Sequence, residues 1–314
     1  MIIRKLDISN DLPVVVEAQN QYFDRKLGID DLRRQMKLFS QSGFYGLVLE
    51  DRGDIVGSIM TIDLCGEFFG KTVLIRQAGN ICIAPPYRHQ GLALKLINAV
   101  SESVAENEIY CGLFIGSWPN IKEQEKRGEY KLIQINRYQY WLNPLKQLVL
   151  SLRLNILRRY CVRLENFDGL DHIRLGLTEP AASIMVSKNS IYFNRKYSSD
   201  AQEKRYEIFS CCDDEDIFAV IVMSISGTAA SIEDFFYKLG REQDFLDSAS
   251  QIAYEFGCAY LDCSIINRKF EPILHAFGFK KVVSNQYLNV RASSLLGKEL
   301  FNENNWHIVS GDAM

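Results

Sequence analysis

Residues 81 to 93, ICIAPPYRHQGLA, combine a positive charge with a glycine where a strand pattern passes into a helix pattern. Pro85 and Pro86 end the apolar run because proline has no N–H to extend a ladder. Gly91 then precedes apolar residues at helical spacing. The first N–H groups of a helix lack intrahelical partners, and a glycine there lets a ligand approach the backbone closely. With the charge of Arg88, the segment predicts a cradle for phosphate or pyrophosphate.

Arg88, Gly91 and Ala93 have the spacing R-x-x-G-x-A. This spacing resembles the acyl-CoA signature of the GCN5-related N-acetyltransferases, in which a segment of the form V-x-P-x-Y-R often precedes it. The residues from Ile83 to Arg88 match that lead-in. The resemblance implies that acetyl-CoA, or another acyl-CoA, is the cofactor. A purely structural turn that opens a helix is the alternative interpretation of the same residues.

The resemblance also implies how the cofactor is held. The backbone of residues 81–84 would pair with the pantetheine arm like an added strand, and the N–H groups from His89 to Ala93 would hold the pyrophosphate. Asn120 matches a family asparagine that follows the next strand, and its alternative interpretation is a loop residue after proline. The implied cofactor-binding residues are Ile81, Cys82, Ile83, Arg88, His89, Gln90, Gly91, Leu92, Ala93 and Asn120.

Transfer of an acyl group to an amine needs a base for the amine proton and donors for the developing oxyanion. By resemblance, the backbone N–H of Ile83 is the oxyanion donor. Residues 76–80, RQAGN, contain no carboxylate, although many family members carry a glutamate there. Asp63 and Glu67, on or after the preceding strand, are the remaining candidates for the base, and a solvated surface role is the alternative for each.

The apolar patterns up to residue 140 predict the element order β-α-α-β-β-β-α-β-α-β. Among these elements are a helix over Leu12–Phe23, a strand over Ile109–Ile115 and a closing strand over Lys131–Tyr140. The acetyltransferases use the same order, so the resemblance extends over the whole first half. We therefore predict an α/β (α+β) fold in which a mixed, mostly antiparallel sheet is flanked by helices.

The second half repeats this order weakly, and residues 273–279 resemble the closing L-x-x-x-G-F motif of the family. At the expected cofactor loop, however, Asp244 stands where glycine should, and its charge would repel pyrophosphate. We predict an acyl-CoA-binding domain over 1–143, a helical linker over 144–200 and a degenerate repeat over 201–314. Residues 193–197 and 306–312 also resemble segments of bacterial two-domain acetyltransferases associated with surface-polysaccharide biosynthesis.

Residues 145–160, LKQLVLSLRLNILRRY, predict a basic helix without acidic residues. Such a helix either packs as a linker with a solvated face or makes peripheral contact with an anionic membrane surface. The net charge of −3 argues against nucleic-acid binding, and no apolar run reaches the roughly 18 residues that a membrane span needs. The eight cysteines form no C-x-x-C pair and the four histidines lack ligand spacing, so we expect no metal and a cytoplasmic location.

The leading hypothesis is an acyl-CoA-dependent N-acyltransferase that acetylates an amine of an amino sugar or of another small metabolite. A Fem-type aminoacyl-tRNA-dependent transferase, which uses a tandem version of this fold without CoA, is a second hypothesis. The intact Arg88–Ala93 signature and the acidic composition argue against it. A non-enzymatic module that senses acyl-CoA is the third hypothesis, because the first half lacks both the family's base and its general-acid tyrosine.

Overall fold

The computed structural model describes residues 1–23, 28–30, 32–33, 45–115, 125–126, 128, 130–156, 159–164, 177, 182–188, 190–197, 206–214, 216–291 and 296–309. The strands are β1 (Ile2–Lys5), β2 (Tyr45–Asp51), β3 (Asp54–Phe68), β4 (Lys71–Ile83), β5 (Ile109–Ile115), β6 (Tyr130–Gln134), β7 (Asn136–Trp141), β8 (Arg159–Leu164), β9 (Ile184–Val186), β10 (Tyr206–Asp213), β11 (Asp216–Ser226), β12 (Ala229–Tyr237), β13 (Tyr260–Ile266), β14 (Lys280–Val282), β15 (Gln286–Arg291) and β16 (Trp306–Val309). The α-helices are α1 (Leu12–Phe23), α2 (Leu92–Glu102), α3 (Pro144–Ile156), α4 (Ser190–Tyr197), α5 (Glu242–Glu255) and α6 (Glu271–Phe277).

The chain forms two compact units, and each unit is discontinuous in sequence. Unit 1 contains Met1–Gln134 and Asn285–Asn302, and unit 2 contains Ile135–Ser284 and Glu303–Met314. Strand β15 from near the end of the chain therefore belongs to unit 1, and β7 from the middle belongs to unit 2. The predicted boundaries at residues 143 and 200 stay a prediction, and the compact units divide the chain differently because these two strands are exchanged.

Unit 1 is built on a sheet with the strand order β1-β2-β3-β4-β5-β15-β6. The β4–β5 pair is parallel, and the other neighbouring pairs are antiparallel. Apolar side chains of α2, among them Leu96 and Ile97, pack on one face together with Ile59 of β3. Leu12 and Val15 of α1 pack in a separate core cluster with Val48 and Met60. The predicted class, a mixed sheet flanked by helices, is confirmed for this unit.

Unit 2 has the strand order β8-β10-β11-β12-β13-β7-β14, and β16 joins both β13 and β9. Its β12–β13 pair is parallel, as β4–β5 is in unit 1. The core of unit 2 contains many aromatic rings, including Phe235, Phe245 and Phe270, with Phe235 and Phe245 stacked at a centroid distance of 4.8 Å. Large buried aromatic rings supply much of the apolar area that stabilises such a core.

The helical segments predicted between the halves are shorter than expected. The basic helix predicted over 145–160 ends at Ile156, and Arg159–Leu164 form β8, which pairs with six residues of β10. The alternation of exposed and half-buried residues along β8 suits an edge strand better than a helix. The helical linker predicted over 144–200 also contains the short strand β9, and α4 begins at Ser190 after it. Within the described ranges, no helix is long and apolar enough to span a membrane.

Candidate functional site

The sheet of unit 1 is split between β4 and β5. The parallel ladder joins residues 75–78 of β4 to residues 109–112 of β5 and ends at the pair Ala78–Gly112. Beyond that pair β4 continues to Ile83 and β5 to Ile115, and β5 keeps its pairing with β15 on the other side. The β4–β5 ladder therefore leaves residues 79–83 with a backbone edge at which an extended ligand could add hydrogen bonds like a strand.

A bulge in β4 lies beside this split. Met60 of β3 faces Gly79 and Ser58 faces Cys82, so Asn80 and Ile81 both stand opposite the single residue Ile59. Asn80 has a φ of 49°, in the left-handed region, which is uncommon for residues other than glycine and in which asparagine is enriched. Bulges bend a strand and redirect its backbone groups, and they recur beside functional sites.

The backbone of Ile83 points into the split. The N–H of Ala84 donates to the carbonyl oxygen of Val56 at 2.9 Å, which makes Ala84–Val56 a hydrogen-bonded pair. Because such pairs alternate in an antiparallel ladder, the preceding pair, Ile83–Gly57, is a non-hydrogen-bonded pair. The N–H and C=O of Ile83 therefore point away from β3, toward the open side of β4. This orientation is the one that an oxyanion donor at Ile83 requires.

Arg88 fixes the outer end of the split. Its Nε atom donates to the carbonyl oxygen of Ile83 at 3.0 Å, which agrees with the orientation derived from the ladder. Its guanidinium group lies 5.6 Å from the ring centroid of Tyr22, near the end of α1. Tyr22 is not among the site residues that the sequence predicts. Arg88 remains exposed and carries its positive charge beside the first turn of α2.

The first turn of α2 is open to a ligand. Gly91 is the N-cap residue with a φ of 73°, and no atom lies within 4 Å of the position that a Cβ atom would take. The N–H of Lys95 donates to the carbonyl oxygen of Gly91 at 3.1 Å, so the N–H groups of residues 92–94 precede the first intrahelical donor. Leu92 is buried and can contribute only its backbone. The geometry fits a pyrophosphate group at the positive end of a helix.

The structure brings most of the sequence-predicted cofactor residues together. Residues 81–83 form the edge of β4, and residues 88–93 form the turn and helix start that follow it. The Cys82 side chain is buried, which suits the backbone contact predicted for it rather than a reactive thiol. Gln90 donates its side-chain amide to the Pro86 carbonyl at 3.2 Å and thereby stabilises the turn. Asn120 lies outside the described residues.

The two carboxylates predicted as bases lie elsewhere in unit 1. Asp63 is buried and accepts two hydrogen bonds from Arg76, at 2.8 Å from Nε and 3.1 Å from Nη2. Asp63 is six residues along β3 from Gly57, the partner of Ile83, which corresponds to about 20 Å of strand. Glu67 is exposed and is a further four residues along β3. Neither carboxylate is positioned for direct proton transfer at Ile83.

Unit 2 has a similar split between β12 and β13, but strand β16 fills it. The β12–β13 ladder ends at the pair Ile232–Cys263, and β16 then pairs with Ile265 and Ile266 of β13. At the start of α5, Asp244 accepts hydrogen bonds from Arg159 and Arg241. Asp244 therefore adds a negative charge to the first turn of α5, where an anionic ligand would be repelled.

No group of three or more His, Cys, Asp or Glu residues in the described ranges is arranged to hold a metal ion. The eight cysteines are free thiols, and six of them are buried.

No protein-family model matches the chain, and no curated protein matches it in sequence. Solved structures do resemble it. A conserved protein from Enterococcus faecalis, described as a probable N-acyltransferase, aligns with a TM-score of 0.66 at 9% identity, over 95% of this chain and 74% of that protein. A GCN5-related N-acetyltransferase from Anabaena variabilis gives a TM-score of 0.66 at 12% identity, over 95% and 75% of the two chains.

Saccharomyces cerevisiae N-myristoyltransferase with bound myristoyl-CoA also aligns, with a TM-score of 0.53 at 10% identity, over 93% of this chain and 82% of that enzyme. At these identities the likeness establishes the fold. The chain has the mixed α/β fold of the GCN5-related N-acetyltransferases, as its sequence predicted.

Proposed function

We propose that the protein is an acyl-CoA-dependent N-acyltransferase that transfers an acyl group directly to an amine. The observation that carries this proposal is the split between β4 and β5, with the Gly91 turn at its outer end. The pantetheine arm can pair with the backbone edge of β4 that the β4–β5 ladder leaves open, and the N–H groups in the first turn of α2 can bind the pyrophosphate. The solved N-myristoyltransferase neighbour, which contains myristoyl-CoA, supports the same class of cofactor.

In the proposed reaction, different residues bind the cofactor and stabilise the oxyanion. The edge of β4 orients the arm, and Arg88 with the start of α2 neutralises the phosphate charge. The N–H of Ile83 stabilises the oxyanion that forms when the amine nitrogen attacks the thioester carbonyl carbon. The carbon–sulfur bond then breaks and the leaving thiolate takes up a proton. Asp63 and Glu67 do not reach Ile83, so in this proposal the acceptor amine attacks in its neutral form, and a water relay carries the proton that it loses to the leaving thiolate.

The finer assignments are also part of the proposal. The acyl donor is acetyl-CoA or a related acyl-CoA, and the acceptor is an amine of an amino sugar or another small metabolite. Unit 2 is a degenerate repeat of the acetyltransferase fold, with its split filled by β16 and the negative charge of Asp244 in the first turn of α5. A role in surface-polysaccharide biosynthesis and a cytoplasmic location stay predictions from the sequence.

Calorimetric titration of the full chain with acetyl-CoA and with free CoA tests the proposal. We expect both to bind with a stoichiometry of one per chain, because among the described strands the split of unit 1 is open and that of unit 2 is filled by β16. The failure of every acyl-CoA to bind would exclude the proposed function. A stoichiometry of two would leave an acyl-CoA role for unit 1 but overturn the assignment of unit 2 as degenerate.

A non-enzymatic acyl-CoA sensor is the second candidate, and one observation favours it: neither Asp63 nor Glu67, the two candidates for the base, is within reach of Ile83. A sensor binds acyl-CoA without releasing thiol when amines are added. Measurement of thiol release against a panel of amino sugars and small amines, with the binding-competent protein, separates the two candidates. Release above the rate of uncatalysed hydrolysis identifies an enzyme.

A further inference from the structure

Cys161 of β8 and Cys211 of β10 face each other across two neighbouring antiparallel strands of unit 2. They are direct partners in the β8–β10 ladder, and their Sγ atoms are in contact, 2.7 Å apart. Direct partners in a sheet present their side chains on the same face. In the ladders between the described strands, no other two cysteines are directly opposed. This placement brings two thiols together that could form a disulfide bond.

The strand pairing also holds the backbone at a separation that a disulfide can span. Directly opposed residues in an antiparallel ladder have Cα atoms about 4.5 or 5.5 Å apart, depending on whether the pair is hydrogen-bonded. Disulfides join residues whose Cα atoms are about 4.4 to 6.8 Å apart, so both alternatives fall within that window. Bond formation between Cys161 and Cys211 therefore needs an adjustment of the two side chains and leaves the strands in place.

The two thiols differ in access and in acidity. Cys161 is half-buried on β8, which pairs with β10 alone among the described strands, whereas Cys211 is fully buried in the core of unit 2. The hydrogen bond between the two thiols lowers the pKa of Cys161, and burial raises the pKa of Cys211. The thiolate is the reactive form of cysteine. Cys161 is therefore suited to attack a disulfide first, and Cys211 to react second.

We propose that Cys161 and Cys211 are a site of reversible oxidation that takes small-molecule disulfides such as oxidised glutathione. The thiolate of Cys161 attacks one sulfur of the oxidant and forms a mixed disulfide, and the first glutathione leaves as a thiolate that takes up a proton. Cys211 then loses its proton and attacks the Sγ atom of Cys161, and the second glutathione leaves as a thiol. The two protein thiols are oxidised to a disulfide, and one molecule of oxidised glutathione is reduced.

The disulfide closes the segment that contains β9 and α4, because both elements lie between the two cysteines, which are 50 residues apart in sequence. A cross-link over a loop of this length stabilises a fold by restricting the unfolded chain. We therefore expect oxidation to raise the melting temperature by about 5 to 10 °C and reduction to reverse the shift. In a reducing compartment such a bond forms transiently, so it is a modification rather than a permanent cross-link.

The test treats the folded full chain with oxidised glutathione and maps its cysteines by mass spectrometry without reduction. We expect one cross-linked pair of peptides, which contain Cys161 and Cys211. Cys211→Ser should instead retain glutathione at Cys161, because no thiol then resolves the mixed disulfide. Cys161→Ser should leave Cys211 unmodified, because its thiol is buried.

Cys65 is the matched control within the same protein, because it is also half-buried and Leu74 rather than a cysteine lies opposite it. Glutathione that reacts at Cys65 should stay there as a mixed disulfide without a cross-link. Glutathione that persists at Cys161 in the wild-type protein overturns the inference, as does an equal yield of cross-links from Cys161 to other cysteines. Because these outcomes are measured on the wild-type protein, they decide the inference even where a serine variant fails to fold. They are also independent of acyl-CoA binding.

Discussion

The Nε atom of Arg88 donates a 3.0 Å hydrogen bond to the carbonyl oxygen of Ile83. This hydrogen bond connects the turn that precedes α2 to the last residue of β4. The two residues have different roles in the proposed site, since Arg88 supplies charge and Ile83 supplies the backbone N–H. The hydrogen bond joins those roles, because it fixes the peptide plane that follows Ile83 while leaving the N–H of Ile83 directed into the split.

Replacement of Arg88 separates its charge from its hydrogen bond. We expect Arg88→Met to weaken CoA binding by about tenfold or more, because both the charge and the tie to Ile83 are lost. Arg88→Lys keeps the charge but lacks the planar guanidinium that reaches Ile83 and lies beside the Tyr22 ring. Its CoA affinity should therefore lie between that of the wild-type protein and that of Arg88→Met. Calorimetry with CoA measures both variants. If Arg88→Lys bound CoA with wild-type affinity, the hydrogen bond from Arg88 to Ile83 would not be needed for CoA binding.

Gly91 and Gly257 form a matched pair for testing the start of α2. Both have left-handed φ angles, 73° and 75°, and both have open space where a Cβ atom would lie. We expect alanine at either position to lower the free energy of unfolding by about 1 kcal/mol through backbone strain. Only Gly91→Ala should weaken acyl-CoA binding, and Gly91→Glu should abolish it because a carboxylate then occupies the phosphate position.

Chemical denaturation gives the stability of these variants, and calorimetry with acetyl-CoA gives their affinity. If Gly257→Glu weakened binding as much as Gly91→Glu, the effect would be a general loss of structure rather than a loss of the phosphate site.

Local periodicity made several elements predictable from the sequence. The helix Leu12–Phe23 and the strand Ile109–Ile115 have the predicted bounds, because each is a single apolar pattern with clear breaks on both sides. The turn between β4 and α2 was equally visible, since its prolines and glycine are local signals. The role of the Ile83 N–H as oxyanion donor stays a prediction, and the ladder of β3 and β4 directs this N–H away from β3.

The exchange of strands was not predictable in the same way. Lys131–Tyr140 reads as one continuous strand, yet it divides at Ile135 into β6 of unit 1 and β7 of unit 2. β15 lies beside β5 in unit 1 only through a pairing between residues that are far apart in sequence. Likewise, the pairing of Asp63 with Arg76 depends on strand register. A single sequence contains no direct signal for such long-range pairings.

Val290 tests the contribution of β15 to unit 1. Its side chain is fully buried, and its backbone pairs with Cys111 of β5 and Lys131 of β6. We expect Val290→Asp to lower the free energy of unfolding by about 3 kcal/mol or more, because it places an unpaired charge in the core. Acyl-CoA binding should be lost as well, since β15 supports β5 at the split.

Val283→Asp is the control for this variant, because Val283 is 95% exposed and stands only seven residues earlier in the chain. It should leave both the denaturation midpoint and acyl-CoA affinity unchanged. Similar losses in the two variants would mean that a charge anywhere in this segment is harmful and that the pairing of β15 is not the cause.

Asp11 gives a stability contribution with a defined pH dependence. Its carboxylate accepts hydrogen bonds from Arg4 at 2.6 and 3.0 Å and from the backbone N–H of Asp7 at 2.7 Å. The hydrogen bonds from Arg4, followed by that from Asp7, lower the pKa of Asp11 below its ordinary value of 3.8. A carboxyl group whose pKa is lower in the folded state stabilises the fold above its unfolded pKa and loses that contribution as the pH falls through the folded pKa.

Asp11→Asn should therefore lower the free energy of unfolding by about 1–3 kcal/mol at pH 7, the range for a charge-assisted hydrogen bond. The asparagine can still accept from the Asp7 N–H, so the difference isolates the charge of the carboxylate. Urea denaturation of both proteins at pH 7, 5 and 3 measures the effect. We expect the difference to be the same at pH 7 and 5 and to shrink below about pH 3.8, as the wild-type carboxylate takes up a proton. A difference that stays constant down to pH 3 would show that the ion pair with Arg4 does not stabilise unit 1.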